Sequence, residues 1–270
     1  MTDTLSEVIQ DLADEQAALG SVLDRMPDSA WDLPTHAPGW LARDQVAHLA
    51  FFDEAAARAI TNADAFRAEV LRLQQEPAGA QEQRYLKKGR AMTPQGVLAW
   101  WREASSALIA AARTVDPKAR LPWYGPDMSG VSFITARLME TWSHGLDVVD
   151  VVGIPRPDTD RLRHVAFLGY RTRPYSYVVN NREMPAQPVR VELTSPSGQA
   201  WVFGEEDATD TIMGSATDFC RVVTQRRNIA DTSLVVEGPA ARDWMGIAQA
   251  FAGPPGAGRK PGEFPKEPAR

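Results

Sequence analysis

Leu5, Val8, Ile9, Leu12, Leu19, Val22 and Leu23 recur at helical spacing with acidic residues between them. This predicts an amphipathic helix over residues 3–26. The stretch from Trp31 to Trp40, with Pro34, Pro38 and Gly39, reads as a turn-rich connector. A second helix is predicted from near Ala42, carrying His48, Phe51 and Phe52 and running through the alanine-rich residues 54–60. After a long connection, Thr93-Pro94 opens a third helix, because threonine caps and proline suits the first turn. Val97, Trp100, Trp101, Leu108 and Ile109 line it to about Thr114. A loop over 116–130 precedes a fourth helix from about Ser132 to Val149, through Ile134, Leu138, Glu140 and His144. Four such helices predict a four-helix bundle, an architecture that places ligands from facing helices in its core.

The pattern then changes. Gly153-Ile154-Pro155-Arg156-Pro157 ends the bundle, and residues 159–181 read as helical. Val189–Leu193 alternates apolar and polar, a Ser195-Pro196-Ser197-Gly198 turn follows, and residues 200–204 complete a β-hairpin signal. Residues 210–224 read as a helix, 233–238 as a strand and 243–251 as a last helix. The predicted class is therefore mixed, α plus α/β: a helical bundle over 1–155 and a small α+β domain over 156–252. Residues 253–270, rich in proline, glycine and lysine, are predicted to be a disordered tail.

Composition narrows the function classes. A net charge of −6 with a pI near 5.3 argues against nucleic acid as a partner, which needs a basic face. No apolar run approaches the roughly 18 residues of a membrane span, and the acidic, polar N-terminus shows no signal peptide. The single cysteine, Cys220, excludes an intrachain disulfide and a cysteine-rich zinc module. These features predict a soluble cytoplasmic protein; the partners expected are a small-molecule substrate and, at most, a second copy of the chain, as monomer or homodimer, a choice that composition leaves open.

The candidate chemistry lies in the histidines. Glu140 and His144 are four residues apart on one predicted helix and project side by side. With His48 from another helix they would form a two-histidine, one-carboxylate set, the kind that catalytic zinc sites use while leaving a position for water or substrate. Each residue also has a plainer reading: His48 as a satisfied helix histidine, Glu140 and His144 as a solvated i,i+4 pair. Asp147, one turn beyond His144, could orient a ligand histidine through its other ring nitrogen, or simply be a solvent-facing carboxylate at the helix end. His36 reads as a loop surface residue, His164 as part of a solvated helix face with Arg161 and Arg163, and Cys220 as a buried, inert thiol. Arg226 and Arg227 end a predicted helix, where arginine complements the dipole; the same planar fork suits a substrate carboxylate.

Trp31, Pro34-Thr35 and Pro38-Gly39-Trp40, then Asp44-Gln45-Val46-Ala47-His48-Leu49, then Glu140-Thr141-Trp142-Ser143-His144-Gly145-Leu146-Asp147, resemble the DinB-like metal-binding fold. More narrowly they resemble its mycothiol-dependent maleylpyruvate isomerase branch, over roughly residues 5–155. The resemblance implies a DinB-like bundle holding a divalent metal, usually zinc, through His48, Glu140 and His144, and mycothiol as a thiol cosubstrate. It further implies that an arginine of the following domain takes part in catalysis, for which Arg226 and Arg227 are the candidates. The hairpin and the Ala250–Pro255 ending look instead like an actinobacterial subgroup, which separates the metal site from any particular substrate. The activity implied is isomerisation or S-transfer on an electrophile. A thiol-independent metal-dependent isomerase or hydrolase, and a non-catalytic metal- or ligand-binding protein, are the alternatives. Nickel, iron and manganese suit the same donors as zinc.

Overall fold

A computed structural model of the chain describes residues 4–264. It divides into two compact units, Met1–Arg156 and Pro157–Arg270. In the first unit α1 (Leu5–Leu23), α2 (Ala42–Thr61), α5 (Pro94–Ala112) and α6 (Gly130–Val152) are the four long helices. α2 packs against α5 and α6, and α1 against α6 and α5, which closes the bundle. Of the caps, the sequence advertises the one at Thr93; those at Thr4 and Ser129 are shown by the structure. Thr4 and Glu7 exchange backbone hydrogen bonds at the start of α1, Thr93 caps α5 ahead of Pro94, and Ser129 caps α6. The α2 start is fixed differently: the Asp44 carboxylate accepts from the Leu41 N–H at 2.8 Å and is itself held by Arg90 at 2.6 Å.

The predicted long connection is not a loop. It folds into α3 (Ala63–Leu73) and α4 (Ala80–Arg90), both packed on α2. Phe66 is the buried side chain of α3, and Tyr85 with Gly89 are the buried positions of α4, so neither helix shows a continuous apolar stripe. A Cβ on Gly89 would stand 2.7 Å from the Ala47 Cβ. This bare position lets α4 lie close against α2, one turn from the side chain that matters below. A two-stranded ribbon, β1 (Arg120–Leu121) with β2 (Met128–Ser129), precedes α6.

Gly145, beside His144 on α6, has a packing role. Arg156 is buried against it, 3.2 Å from the Glu15 carboxylate and donating to the Trp142 carbonyl at 2.7 Å. A Cβ at position 145 would sit 3.1 Å from the Arg156 guanidinium carbon and 3.2 Å from a Leu19 methyl. Alanine normally stabilises a helix interior by about 1 kcal/mol over glycine. Here Gly145→Ala is expected to destabilise, because overpacking costs about 1–3 kcal/mol. A raised midpoint in urea unfolding would show that Arg156 yields without cost.

The second unit holds α7 (Leu162–Arg171), α8 (Arg173–Val179), α9 (Ala216–Val223) and α10 (Pro239–Met245) with a four-stranded sheet. β3 (Val189–Thr194) and β4 (Ala200–Phe203) form the expected hairpin, with Val189, Val191 and Leu193 buried. Residues 210–215, predicted to begin a helix, are instead β5 (Asp210–Ser215), parallel to β3; β6 (Val235–Glu237) pairs antiparallel with β5. Ile212 is buried between less buried Thr211 and Met213, a period of two that is too short to stand out beside the helix that follows. The last helix lies earlier than predicted, starting at Pro239, where Asp210 accepts from the Ala240 and Ala241 N–H groups at 2.6 and 3.2 Å. That carboxylate at a helix N-terminus explains the buried aspartate. His164 is also corrected: it is 2% exposed rather than on a solvated face. Cys220 is fully buried, its thiol pushed up by burial and so kept protonated. Of the predicted disordered tail, residues 265–270 lie outside the described residues. Residues 253–264 instead make defined contacts, with Asp231 accepting from the Gly262 N–H at 2.7 Å and Asn228 donating to the Arg259 carbonyl at 2.8 Å.

Candidate metal centre

The packing of α2 on α6 brings His48 to Glu140 and His144. One carboxylate oxygen, Glu140 Oε2, stands 3.3 Å from His48 Nε2 and 3.0 Å from His144 Nε2. The two rings lie 4.1 Å apart, centroid to centroid. The three side chains are 12–20% exposed, so their donor atoms are withdrawn from bulk water without being sealed off. Two imidazoles and a carboxylate with all ligand atoms within 4.8 Å of one another could hold a metal ion, and this is the only such group among the described residues.

Each ring is held from behind. His144 Nδ1 is 2.6 Å from Gln45 Oε1, and His48 Nδ1 is 3.3 Å from the Tyr85 hydroxyl. Gln45 in turn donates to Thr35 Oγ1 at 2.9 Å. The Pro34–Trp40 connector turns back so that the Trp40 carbonyl accepts from both the Thr35 N–H (2.8 Å) and hydroxyl (3.0 Å). This places the Trp40 ring near parallel to His144, at 6.0 Å and 18°. Phe52 lies 4.6 Å from His48. Trp40, Phe52 and Tyr85 thus wall the centre with aromatic rings.

Burial pushes the His48 ring down to about 3, with its neighbour His144 adding to the effect. Burial alone would raise Glu140, but hydrogen bonds to His144 and His48 outweigh it and hold the carboxyl well below its usual range. Burial, reinforced by the charges of Glu82, Glu140 and Asp44, pushes the Tyr85 phenol up, so it stays protonated. The ring of His48 is therefore neutral at physiological pH, the state a ligand needs. The same shift carries a stability consequence. Below the ordinary value of 6.5 the unfolded chain takes up a proton that the native ring refuses until about 3. Its contribution is therefore full above that ordinary value and is lost as pH falls through the window. Metal-free protein is expected to lose about 2 kcal/mol between pH 6.5 and 5 from this residue alone, at about 1.4 kcal/mol per pH unit. A His48→Gln variant should lose correspondingly less in urea unfolding; parallel losses would contradict the assignment.

Asp147 does not take the orienting position foreseen for it. Its carboxylate is 4.0 Å from His144 Nδ1, and Gln45 occupies the hydrogen-bonding place. Gln45 was legible only as a residue three before His48 on the same helix; Tyr85 lay in a helix the pattern did not reveal. Arg226 and Arg227 belong to the second unit. They follow α9, which closes through Gln225 in a left-handed conformation, φ +58°. The Gln225 N–H donates to the Val222 carbonyl and the Arg226 N–H to the Arg221 carbonyl, a Schellman closure. Arg226 donates to the Thr224 carbonyl at 2.8 Å, and the Arg227 guanidinium lies 3.7 Å over the Phe264 ring.

Residues 12–149 match the pattern of the mycothiol maleylpyruvate isomerase N-terminal domain. The chain belongs to this family. It is 43% identical over 251 residues to "Uncharacterized protein Rv0036c" of Mycobacterium tuberculosis, covering 93% of this chain and 97% of that one, and equally to its counterpart in a second strain. Crystal structures of the mycothiol-dependent maleylpyruvate isomerase and of a histidine-to-alanine mutant of it superpose with TM-scores of 0.59 and 0.60. Each is 14% identical and covers 89% of this chain and 98% of the isomerase chain. At that identity the likeness shows the fold, which is the one the sequence motifs resemble.

Proposed function

We propose that this member of the family is a divalent-metal-dependent enzyme that activates a low-molecular-weight thiol, mycothiol or a close analogue, for isomerisation or S-transfer on an electrophilic small molecule. The observation that carries the reading is the convergence of His48, Glu140 and His144 from two helices. These would be the ligands, with zinc the first choice for a two-histidine, one-carboxylate set. A bound ion of this kind lowers the pKa of a coordinated thiol, so that thiolate is available at neutral pH.

The chain's own residues supply the rest. Burial keeps His48 neutral and the histidine hydrogen bonds keep Glu140 ionised, so the carboxylate is ready to bind a cation and the imidazole carries no positive charge that would repel one. Trp40, Phe52 and Tyr85 limit water around the centre. Arg226 and Arg227 are the candidates for recognising a substrate carboxylate. The thiolate adds to an activated carbon–carbon double bond. Rotation about the resulting single bond and expulsion of the thiolate would give the isomer and return the thiolate; an adduct whose enolate takes up a proton from water would be the S-transfer product. We place this reaction in the cytoplasm; among the described residues no helix is long and apolar enough to cross a membrane.

The test is turnover of electrophilic unsaturated acids by metal-replete protein, with and without mycothiol. Turnover that requires the thiol supports the reading. Turnover without it would move the protein to the thiol-independent isomerases or hydrolases, and metal binding without turnover of any acid would favour a binding role.

A further inference from the structure

We infer that Gln45 is a positioning residue that fixes the His144 tautomer, turning the Nε2 lone pair toward a metal ion while adding no negative charge to the centre. The inference rests on the metal reading above. Gln45 is fully buried and both ends of its amide are engaged. The orientation of that amide follows from Thr35. Its hydroxyl spends its one hydrogen on the Trp40 carbonyl at 3.0 Å and accepts from the Ala37 N–H at 3.3 Å. Toward Gln45, 2.9 Å away, it can therefore only accept, so the NH2 end of the amide faces Thr35. The oxygen end then faces His144 Nδ1 at 2.6 Å. An amide oxygen only accepts, so Nδ1 carries the ring hydrogen. A ring that ligates a metal has one such hydrogen, so with Nδ1 donating to Gln45 the ion would take Nε2, the atom that stands 3.0 Å from Glu140 Oε2. The hydrogen bond between those two atoms and a shared cation would use the same place, so an ion bound there would replace the hydrogen between Nε2 and Oε2.

The choice of an amide has a second consequence. Metal-bound histidines commonly donate to a carboxylate. The nearby carboxylate, Asp147, stands back at 4.0 Å while the neutral Gln45 makes the contact. Among the described residues Glu140 is the one carboxylate of the set, so a divalent ion held there would leave one net positive charge. A further ligand on such an ion would thereby be favoured as an anion, a thiolate or a carboxylate, over a neutral donor.

The experiment uses the full chain as wild type, Gln45→Leu, Gln45→Glu and Thr35→Val. Zn(II) and Co(II) affinities are measured by chelator competition, azide binding is followed in the Co(II) visible spectrum, and the His144 ring is read by 15N NMR in the Zn(II) protein. Expected are a protonated Nδ1 in the wild type and affinity lowered about 10- to 100-fold in Gln45→Leu. Thr35→Val should show a smaller loss. Gln45→Glu should keep or raise metal affinity while weakening azide binding to the Co(II) form. Equal affinity of wild type and Gln45→Leu, or a hydrogen on Nε2 with the metal on Nδ1, would overturn the inference and leave the metal reading intact. A wild type that binds neither ion would overturn the metal reading itself. If Gln45→Leu does not fold by circular dichroism, the wild-type ring spectrum and the Gln45→Glu azide result decide.

Discussion

On the proposed function the wild type, purified without a histidine tag or added metal, is expected to carry about one ion per chain and His144→Ala protein to emerge without it. Two features make this the largest effect foreseen on the centre. His144 shares a carboxylate oxygen with His48 and is the residue through which Gln45 and Thr35 act. Its removal deletes a proposed ligand and disconnects the support behind it, so the loss should exceed the roughly 10–100-fold that an outer partner costs. Thermal unfolding gives an independent reading. An ion present at a thousand times its dissociation constant stabilises the native state by about 4 kcal/mol, so added zinc should raise the wild-type midpoint and leave that of His144→Ala unchanged. Equal metal content in the two proteins would remove the basis of the proposed function.

Arg137→Met is expected to cost about 3–5 kcal/mol of folding stability, a large part of the 5–15 kcal/mol typical of a domain. Arg137 reaches from α6 to Asp53 on α2 with two hydrogen bonds, 3.0 and 2.8 Å, to one carboxylate oxygen. The two side chains are 4% and 0% exposed. Burial pushes the Asp53 carboxyl up and Arg137 opposes that push. Without the guanidinium the carboxylate is buried alone, and protonation becomes its cheapest escape. A carboxyl raised in the folded state contributes its stability below the raised value and loses it as pH rises. The Arg137→Met penalty in urea unfolding should therefore be smaller at pH 5 than at pH 7. Adding Asp53→Leu should recover most of the loss, since an apolar pair of similar volume often replaces a buried ion pair at little cost. A single-mutant penalty below about 1 kcal/mol, within the range of an exposed pair, would show that water reaches Asp53.

The bundle was legible because its four long helices carry apolar stripes, one of them opened by the recognisable Thr93-Pro94 cap, and Glu140 with His144 because an i,i+4 pair points one way on any helix. What brings His48 to them is the packing of α2 on α6 across 92 residues of sequence, a fact of tertiary structure that spacing leaves open and the family resemblance supplied. The parts missed share a cause. α3 and α4 bury one or two residues each, so periodicity has little to detect, and Tyr85 was lost with α4. Gln45 sits in the very motif that was read, but a buried amide looks like any polar helix residue until its partners are known. β5 was absorbed into the helix that follows it, because six residues of weak alternation compete poorly with eight of strong amphipathicity.

α6 is gripped on two sides. Arg156 and Glu15 fix it toward α1 at Trp142 and Gly145, while Arg137 and Asp53 fix it toward α2. Neighbouring residues on a helix are about 100° apart in projection, so a small roll of α6 about its axis would swing Glu140 and His144 together away from His48. The two charge pairs act as bearings that set the roll angle. If the proposed metal site holds, selection for a different ion radius could proceed by retuning these bearings, with His48, Glu140 and His144 left in place.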